Sequence, residues 1–264
     1  MKQQQLHIAL LGNPNSGKSS LFNVLTGLKQ KVGNFPGVTV DKKSGQSTIS
    51  ATLTANIIDL PGTYSLYPRR SDEWVAYNVM MNPGSTEKPE LYVLIVDASN
   101  LKRNVLFASQ VIEIKKPVVI ALTMMDIASK KGLKIDVQGL ERELGVPVIP
   151  VNPRKDKGIN ELKKAIDQTA RQLYKPPLRN FVAASNLSEA AIDDIKKIFP
   201  QISDYAAVHY LIHHESFALD APVQDSIEDI ERKHSFNHTK VQAEEITQRY
   251  ARIRHIMQQT VVET

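Results

Sequence analysis

The chain has no cysteine among its 264 residues, which excludes disulfides and thiolate metal sites and fits a reducing compartment. Aromatic residues are few, at 6%, with a single tryptophan, and nothing resembles the aromatic signature of an RNA-binding sheet. No apolar run is long enough to span a bilayer, and the start, Met1-Lys2-Gln3-Gln4-Gln5, lacks the apolar core of a secretory signal, so export by that route is not expected and the cytoplasm is the default. The net charge is +5, but the lysines and arginines are dispersed and no arginine-rich arm is present. That pattern reads as a solvated basic surface, with no nucleic acid expected as partner. Hydrophobic residues at 42% and charged residues at 23% describe a folded globular chain.

What is present is organised around Gly12-Asn13-Pro14-Asn15-Ser16-Gly17-Lys18-Ser19. An apolar run, Leu6 to Leu11, precedes it, and a helix-like segment, Ser20 to Leu25, follows. The pattern G-x-x-x-x-G-K-[ST] between a strand and a helix lets successive backbone N–H groups converge on nucleotide phosphates, with the helix dipole adding to the attraction. Lys18 would reach the β/γ oxygens and Ser19 would ligate Mg²⁺.

Further strand-like runs lie at 54–60, 91–97, 117–122 and 146–151, with helices expected at 104–114 and 159–173 and a basic, glycine-containing loop at 29–40. Nearly continuous apolar strands alternating with helices imply a doubly wound α/β fold with a mostly parallel sheet and ligands at the strand carboxyl ends. Paired prolines at 176–177 break the pattern. Beyond them the chain reads as all helical, at 188–199, 204–214, 223–234 and 238–262, and in the last of these Ile246, Tyr250, Ile253 and Met257 share a face. The expected organisation is a nucleotide domain over 1–174 and a small helical domain over 175–264.

Asp59-Leu60-Pro61-Gly62 ends the second strand. Such an aspartate holds Mg²⁺ through water, while the glycine N–H senses the γ-phosphate. Between the two signals lies Gly33-Asn34-Phe35-Pro36-Gly37-Val38-Thr39-Val40, whose Thr39 offers a hydroxyl to Mg²⁺ and an N–H to the γ-phosphate. Thr123-Met124-Met125-Asp126 ends the strand that begins at Pro117, and its aspartate is suited to accept hydrogen bonds from N1–H and the exocyclic amine of guanine, which favours GTP over ATP. The wider expected contact set adds Ser20, Gly37, Val38, Pro61, Met124 and the loop Asn152, Pro153 and Arg154.

Taken together, these motifs, with Val96-Asp97-Ala98-Ser99-Asn100-Leu101, resemble the amino-terminal cytoplasmic region of the bacterial ferrous-iron transporter FeoB family. The resemblance implies a potassium-activated GTPase with slow intrinsic hydrolysis, on the cytoplasmic side of the inner membrane. It also implies a helical domain of the GDP-dissociation-inhibitor kind that couples the nucleotide state to a membrane permease of the same polypeptide. It implies K⁺ ligands at Asn15 and at loop carbonyls near Gly33 and Phe35, and it names Asn15, Lys18, Thr39 and Gly62 as the residues that carry hydrolysis. A homo-oligomer stays open, as does the alternative of a soluble assembly GTPase acting on ribosomes or RNA.

Two positions depart from the common pattern. Thr63 stands where many GTPases carry a water-orienting glutamine and is too short for that task. Pro153 lacks the N–H that would meet guanine O6, so Arg154 or a shifted loop supplies the donor, or nucleotide is held more weakly. His209 and His213 have metal-like spacing, but with no cysteine or evident carboxylate beside them they read as a polar helix face. Trp74, Met124 and Met125 read as packing residues, and Asp193, Asp194, Lys196 and Lys197 as a solvated helix face.

Overall fold

The structure, a computed structural model, describes residues 4–172, 177 and 179–263. The expected end of the helix at Leu173, the break at Tyr174–Pro176 and the boundary drawn between domains lie outside the described residues.

Strand β1 (Gln4–Gly12) occupies the middle of the main sheet, between β4 (Leu53–Asp59) and β5 (Leu91–Asp97), and is parallel to both. β6 (Val118–Thr123) and β8 (Val148–Pro150) continue the parallel set beyond β5. On the other edge, β2 (Gln30–Asn34) and β3 (Asp41–Thr48) add two antiparallel strands, giving the order β2-β3-β4-β1-β5-β6-β8. The hairpin occupies part of what the sequence reads as loop. Every residue of β2 is exposed, so the apolar alternation that marks a half-buried strand is missing there.

The pleat divides the apolar residues of β1 between two layers. Leu6, Ile8 and Leu10 pack with Leu21, Phe22 and Leu25 of α1 (Lys18–Thr26) and with Ile159, Leu162, Ala165 and Ile166 of α6 (Ile159–Ala170). Ala9 and Leu11 face the opposite layer, which includes α2 (Ser71–Met81) and α3 (Leu101–Glu113). The same core continues without a gap into α7 (Glu189–Ile198), α8 (Asp204–His213), α9 (Ala221–His234) and α10 (His238–Thr260). Two short helices, α4 (Met125–Lys130) and α5 (Val137–Leu144), flank a short strand, β7 (Leu133–Ile135).

The final helix ends earlier than its periodicity suggests. At Val261 the chain turns extended and forms β9 (Val261–Glu263), antiparallel to β7. Its buried stripe also differs from the expected one: Val241, Glu245, Arg249, Ile253, Ile256 and Thr260 are buried, while Ile246, Tyr250 and Met257 are half-buried beside them. Among the described residues no helix is long and apolar enough to cross a membrane.

Candidate nucleotide site

The loop after β1 is shaped by two left-handed residues, Asn15 (φ 64°) and Gly17 (φ 94°), which curl the backbone so that its N–H groups turn towards one hollow. Gly12 permits the curl: a Cβ there would lie 2.8 Å from the Ile95 carbonyl oxygen and 3.0 Å from Ser16 Oγ. Asn13 and Ser16 are buried, and neither side-chain oxygen, nor the Asn13 amide nitrogen, has a hydrogen-bond partner within the protein. Buried polar groups are seldom left unpaired, so this curl is built for a polar occupant. Lys18 Nζ forms an ion pair with the Asp59 carboxylate at the end of β4.

The Asp59–Gly62 segment is fastened directly onto the loop. Thr63 N–H donates to the Gly12 carbonyl at 3.2 Å, and a Cβ on Gly62 would sit 3.0 Å from both Cγ and N of Pro14. A larger residue there would force the two segments apart by a few tenths of an ångström. Thr63 itself is buried, with its hydroxyl proton committed to the Ser65 carbonyl at 2.9 Å.

On the far side, Thr123 Oγ1 lies 2.7 Å from the Ser16 carbonyl and 3.2 Å from that of Val96. Thr123 therefore stitches the end of β6 to the phosphate loop. Met124 adopts a left-handed conformation (φ 57°) at the start of α4, which sets exposed Asp126 in the helix's first turn at the cavity rim. The next wall is a tight turn: Asn152 N–H donates to the Lys157 carbonyl at 2.9 Å, Pro153 opens a single helical turn, and Arg154 projects from it.

These pieces enclose a cavity of about 630 Å³. Its walls include Asn13, Pro14, Asn15, Gly17, Lys18, Ser19, Ser20, Gly62, Thr123, Met124, Asp126, Asn152, Pro153 and Arg154, drawn together from four separate stretches of sequence. Gly12, Ser16, Asp59 and Pro61 lie behind the walls as supports. Gly33, Phe35, Gly37, Val38 and Thr39 are not brought to the cavity: Phe35 is buried in the core, and Gly37, Val38 and Thr39 border a separate hollow with Val40 and Ser71. Arg70 and Asp72, at the start of α2, were not expected and do line the cavity. The only trace of them in the sequence is a basic pair ahead of a helix start.

The expectation of a polar helix face at His209 and His213 is overturned. His209 is fully buried, stacked on Tyr67 with ring centroids 5.0 Å apart and edge-on to Tyr205 at 4.7 Å, and its Nδ1 is 3.2 Å from the Tyr77 hydroxyl. Burial, with His213 and Arg249 adding, holds its pKa well below the ordinary imidazole value. Tyr67 and Tyr77 from elsewhere in the chain, with Tyr205 one turn earlier on the same helix, convert a polar stripe into core. Among the described residues no three His, Cys, Asp or Glu side chains are grouped to hold a metal ion.

Residues 6–166 match the family described as ferrous iron transport protein B. The chain belongs to that family. Curated relatives named Fe(2+) transporter FeoB, from Shigella flexneri and Escherichia coli (strain K12), are 45% identical over 170 residues, covering 62% of this chain. That aligned stretch is 21% of the length of those relatives, so the chain corresponds to a fraction of a FeoB transporter. Among solved structures, the cytosolic domain of T. maritima FeoB in a GDP form superposes with a TM-score of 0.80 at 28% identity, covering 99% of this chain and all of that one. A mutant of S. thermophilus NFeoB bound to GDP gives 0.76 at 33% identity over 97% of this chain and all of that one. The fold is thus that of the FeoB G domain with its carboxyl-terminal helical region.

Proposed function

We propose that this chain binds and hydrolyses GTP as the switch unit of a ferrous-iron transporter, at the cytoplasmic face of a bacterial inner membrane. The observation that carries the reading is the meeting of Lys18, Ser19, Gly62 and Asp126 on one cavity whose wall includes the unbonded polar groups of Asn13.

In this reading the curled backbone of the loop receives the phosphates, and Lys18 exchanges Asp59 for the β/γ oxygens. Ser19 and the freed Asp59 carboxylate would hold Mg²⁺, which when bound neutralises charge shared between the β- and γ-phosphates. Asp126 accepts from the guanine edge. With no N–H at Pro153, the opposite edge of the base is left to Arg154 or to a shift of its turn. Thr39 joins only when the 29–40 segment closes over the cavity, and the same closure would bring Gly33 and Phe35 towards Asn15, the side chain that would meet K⁺. That segment and 63–70 would change order with the nucleotide, and the helical region would pass the change on.

The test is nucleotide preference and turnover. Asp126→Asn should lower GTP affinity by at least about tenfold and raise preference for xanthosine triphosphate, because asparagine keeps an acceptor for N1–H but turns an N–H donor towards position 2, where guanine has an amine and xanthine a carbonyl oxygen. Unchanged GTP affinity would remove the base assignment. Turnover in KCl should exceed that in NaCl, and equal rates would remove the potassium role.

A further inference from the structure

A cluster of buried polar groups lies where the segment after Gly62 meets the helical region. Tyr67 of that segment is only 8% exposed and stacks on His209, which in turn meets Tyr77 and Tyr205. The Glu245 carboxylate of α10 lies beside the Tyr67 hydroxyl, near enough for each to shift the other's proton affinity, and Tyr205 feels the same carboxylate. Yet Tyr67 Oη, Tyr205 Oη, His209 Nε2 and Glu245 Oε2 are all buried without a hydrogen-bond partner among the described residues. Buried polar groups are seldom left so, and this gathering of them marks an arrangement with a bond still to be made.

The Tyr67 hydroxyl and Glu245 Oε2 are the complementary pair. Burial, and then Glu245, raises the Tyr67 pKa, so the phenol keeps a proton to donate. Glu245 is held from its other side, where Oε1 accepts from Arg249 Nε while Arg249 also pairs with Glu113. The acceptor is therefore fixed, and the donor must move to it. Tyr205 offers the same chemistry, but it belongs to α8, packed in the helical region, whereas Tyr67 belongs to a segment tied to the nucleotide cavity.

That tie runs through short contacts. Thr63 N–H is bonded to the Gly12 carbonyl and Gly62 packs on Pro14, so a displacement of either is handed to the residues beyond. Leu66 N–H is anchored on buried Gln110 and Arg69 N–H on buried Glu73. Tyr67 lies between these fixed points, its own N–H bonded only locally, to Ser65 Oγ at 3.2 Å. A small displacement is taken up there by the direction of the tyrosine.

We propose that Tyr67 and Glu245 form a latch between the nucleotide cavity and α10, open in this structure and closed by a hydrogen bond from Tyr67 Oη to Glu245 Oε2 when GTP fills the cavity. The proposal rests on the GTP-binding reading above, in which the Gly62 N–H moves to the terminal phosphate. This structure, with Lys18 still paired to Asp59, is the open form. A bond made only with GTP present raises affinity for GTP over GDP by the same factor with which GTP favours the closed latch.

The experiment measures affinities for GDP and GMPPNP, in Mg²⁺ and KCl, for the unaltered chain, Tyr67→Phe, Tyr205→Phe, Glu245→Leu and Tyr67→Phe combined with Glu245→Leu, together with denaturant unfolding in the absence of nucleotide. Tyr67→Phe should weaken GMPPNP about fivefold and leave GDP unchanged, the effect of one buried hydrogen bond to a carboxylate. In the Glu245→Leu background the same change should move the affinity ratio by less than about twofold, because the acceptor is already gone. Without nucleotide, Tyr67→Phe should unfold at the same denaturant concentration as the unaltered chain or a higher one, since the hydroxyl it removes has no partner there. A ratio for Tyr67→Phe within about twofold of the unaltered chain, equal losses for both nucleotides, a loss confined to GDP, or a lowered unfolding midpoint would each overturn the latch. So would an equal ratio change from Tyr205→Phe, or from Tyr67→Phe once Glu245 is gone. An unaltered chain that takes up neither nucleotide removes the GTP reading instead, and the unfolding of Tyr67→Phe then decides by itself whether the hydroxyl stands unbonded.

Discussion

The two faces of the central sheet are built from different materials. Against α1 and α6 the core is apolar apart from buried Thr26 and Thr169, a layer of Leu, Ile, Val, Phe and Ala in which any one side chain contributes only its area and its fit. Against α3 and the helical region the core surrounds a fully buried Arg249, whose guanidinium pairs with Glu113 of α3 and Glu245 of α10 and donates to Ser109 Oγ at 3.2 Å. Burial opposes that charge, and Glu113 and Glu245 outweigh it, raising the arginine pKa. Glu113 also accepts from the N–H of Phe181 and, at 3.3 Å, from that of Val182, so one carboxylate ties α3, α10 and the start of the helical region together. The first face glues helices to a sheet; the second specifies one arrangement of parts that must meet in register. It is also where the segment after Gly62 reports, since Leu66 N–H donates to Gln110 Oε1 at 2.9 Å and Tyr67 stacks on His209.

The largest effect should come from breaking the ionic face. Arg249→Met leaves two buried carboxylates without their cation, at a cost of about 3–5 kcal/mol. Denaturant unfolding measures it. Adding Glu245→Leu should recover part of the loss, because Glu245 is already disfavoured as an anion: burial raises its pKa more than Arg249 lowers it. If the double variant is less stable than the single one, Glu245 holds this interface by something other than its pairing with Arg249.

The apolar face supplies the contrast. Leu162, fully buried on α6, should cost about 3 kcal/mol when cut to alanine, through lost transfer energy and the cavity left behind. No second substitution on that face should repair it except one that refills the volume. Unfolding midpoints of Leu162→Ala with and without enlarged neighbours would show this.

Legibility in the sequence follows the same division. The loop from Gly12 to Ser19 could be read because its residues are adjacent, and the nearness of Asp59 and Asp126 to it followed because strand ends of a parallel sheet converge. Arg70 and Asp72 could not be read, since their place on the cavity depends on how α2 docks. The hairpin β2–β3 was hidden because an exposed edge strand such as β2 carries no apolar period. In α10 the apolar residues alone select a stripe through Ile246, Tyr250, Ile253 and Met257; the buried stripe keeps Ile253 but is otherwise turned by one position because it contains Glu245 and Arg249. Pattern reading treats charge as surface, and this interface violates that assumption. Thr123 was legible as a motif position but not in its action, for only the fold shows its hydroxyl on the Ser16 carbonyl.

The smallest effect separates the faces by pH. Burial, and then His238, pulls the His213 pKa down to about 4 from an ordinary 6.5, and His209 is lowered as well. An unfolded chain takes up protons near pH 6.5 that the folded one refuses, so this contribution to stability is complete above the unfolded pKa and drains away as pH falls towards 4. Glu245 works in the opposite sense, its raised pKa easing the burial cost as acid is added, so the whole-protein curve mixes both. His213→Gln isolates the histidine: between pH 7.5 and 5 the melting temperature of the unaltered chain should drop by a few degrees more than that of the variant. Parallel curves for the two proteins would mean that the imidazoles near Tyr67 and Tyr77 take their protons without strain.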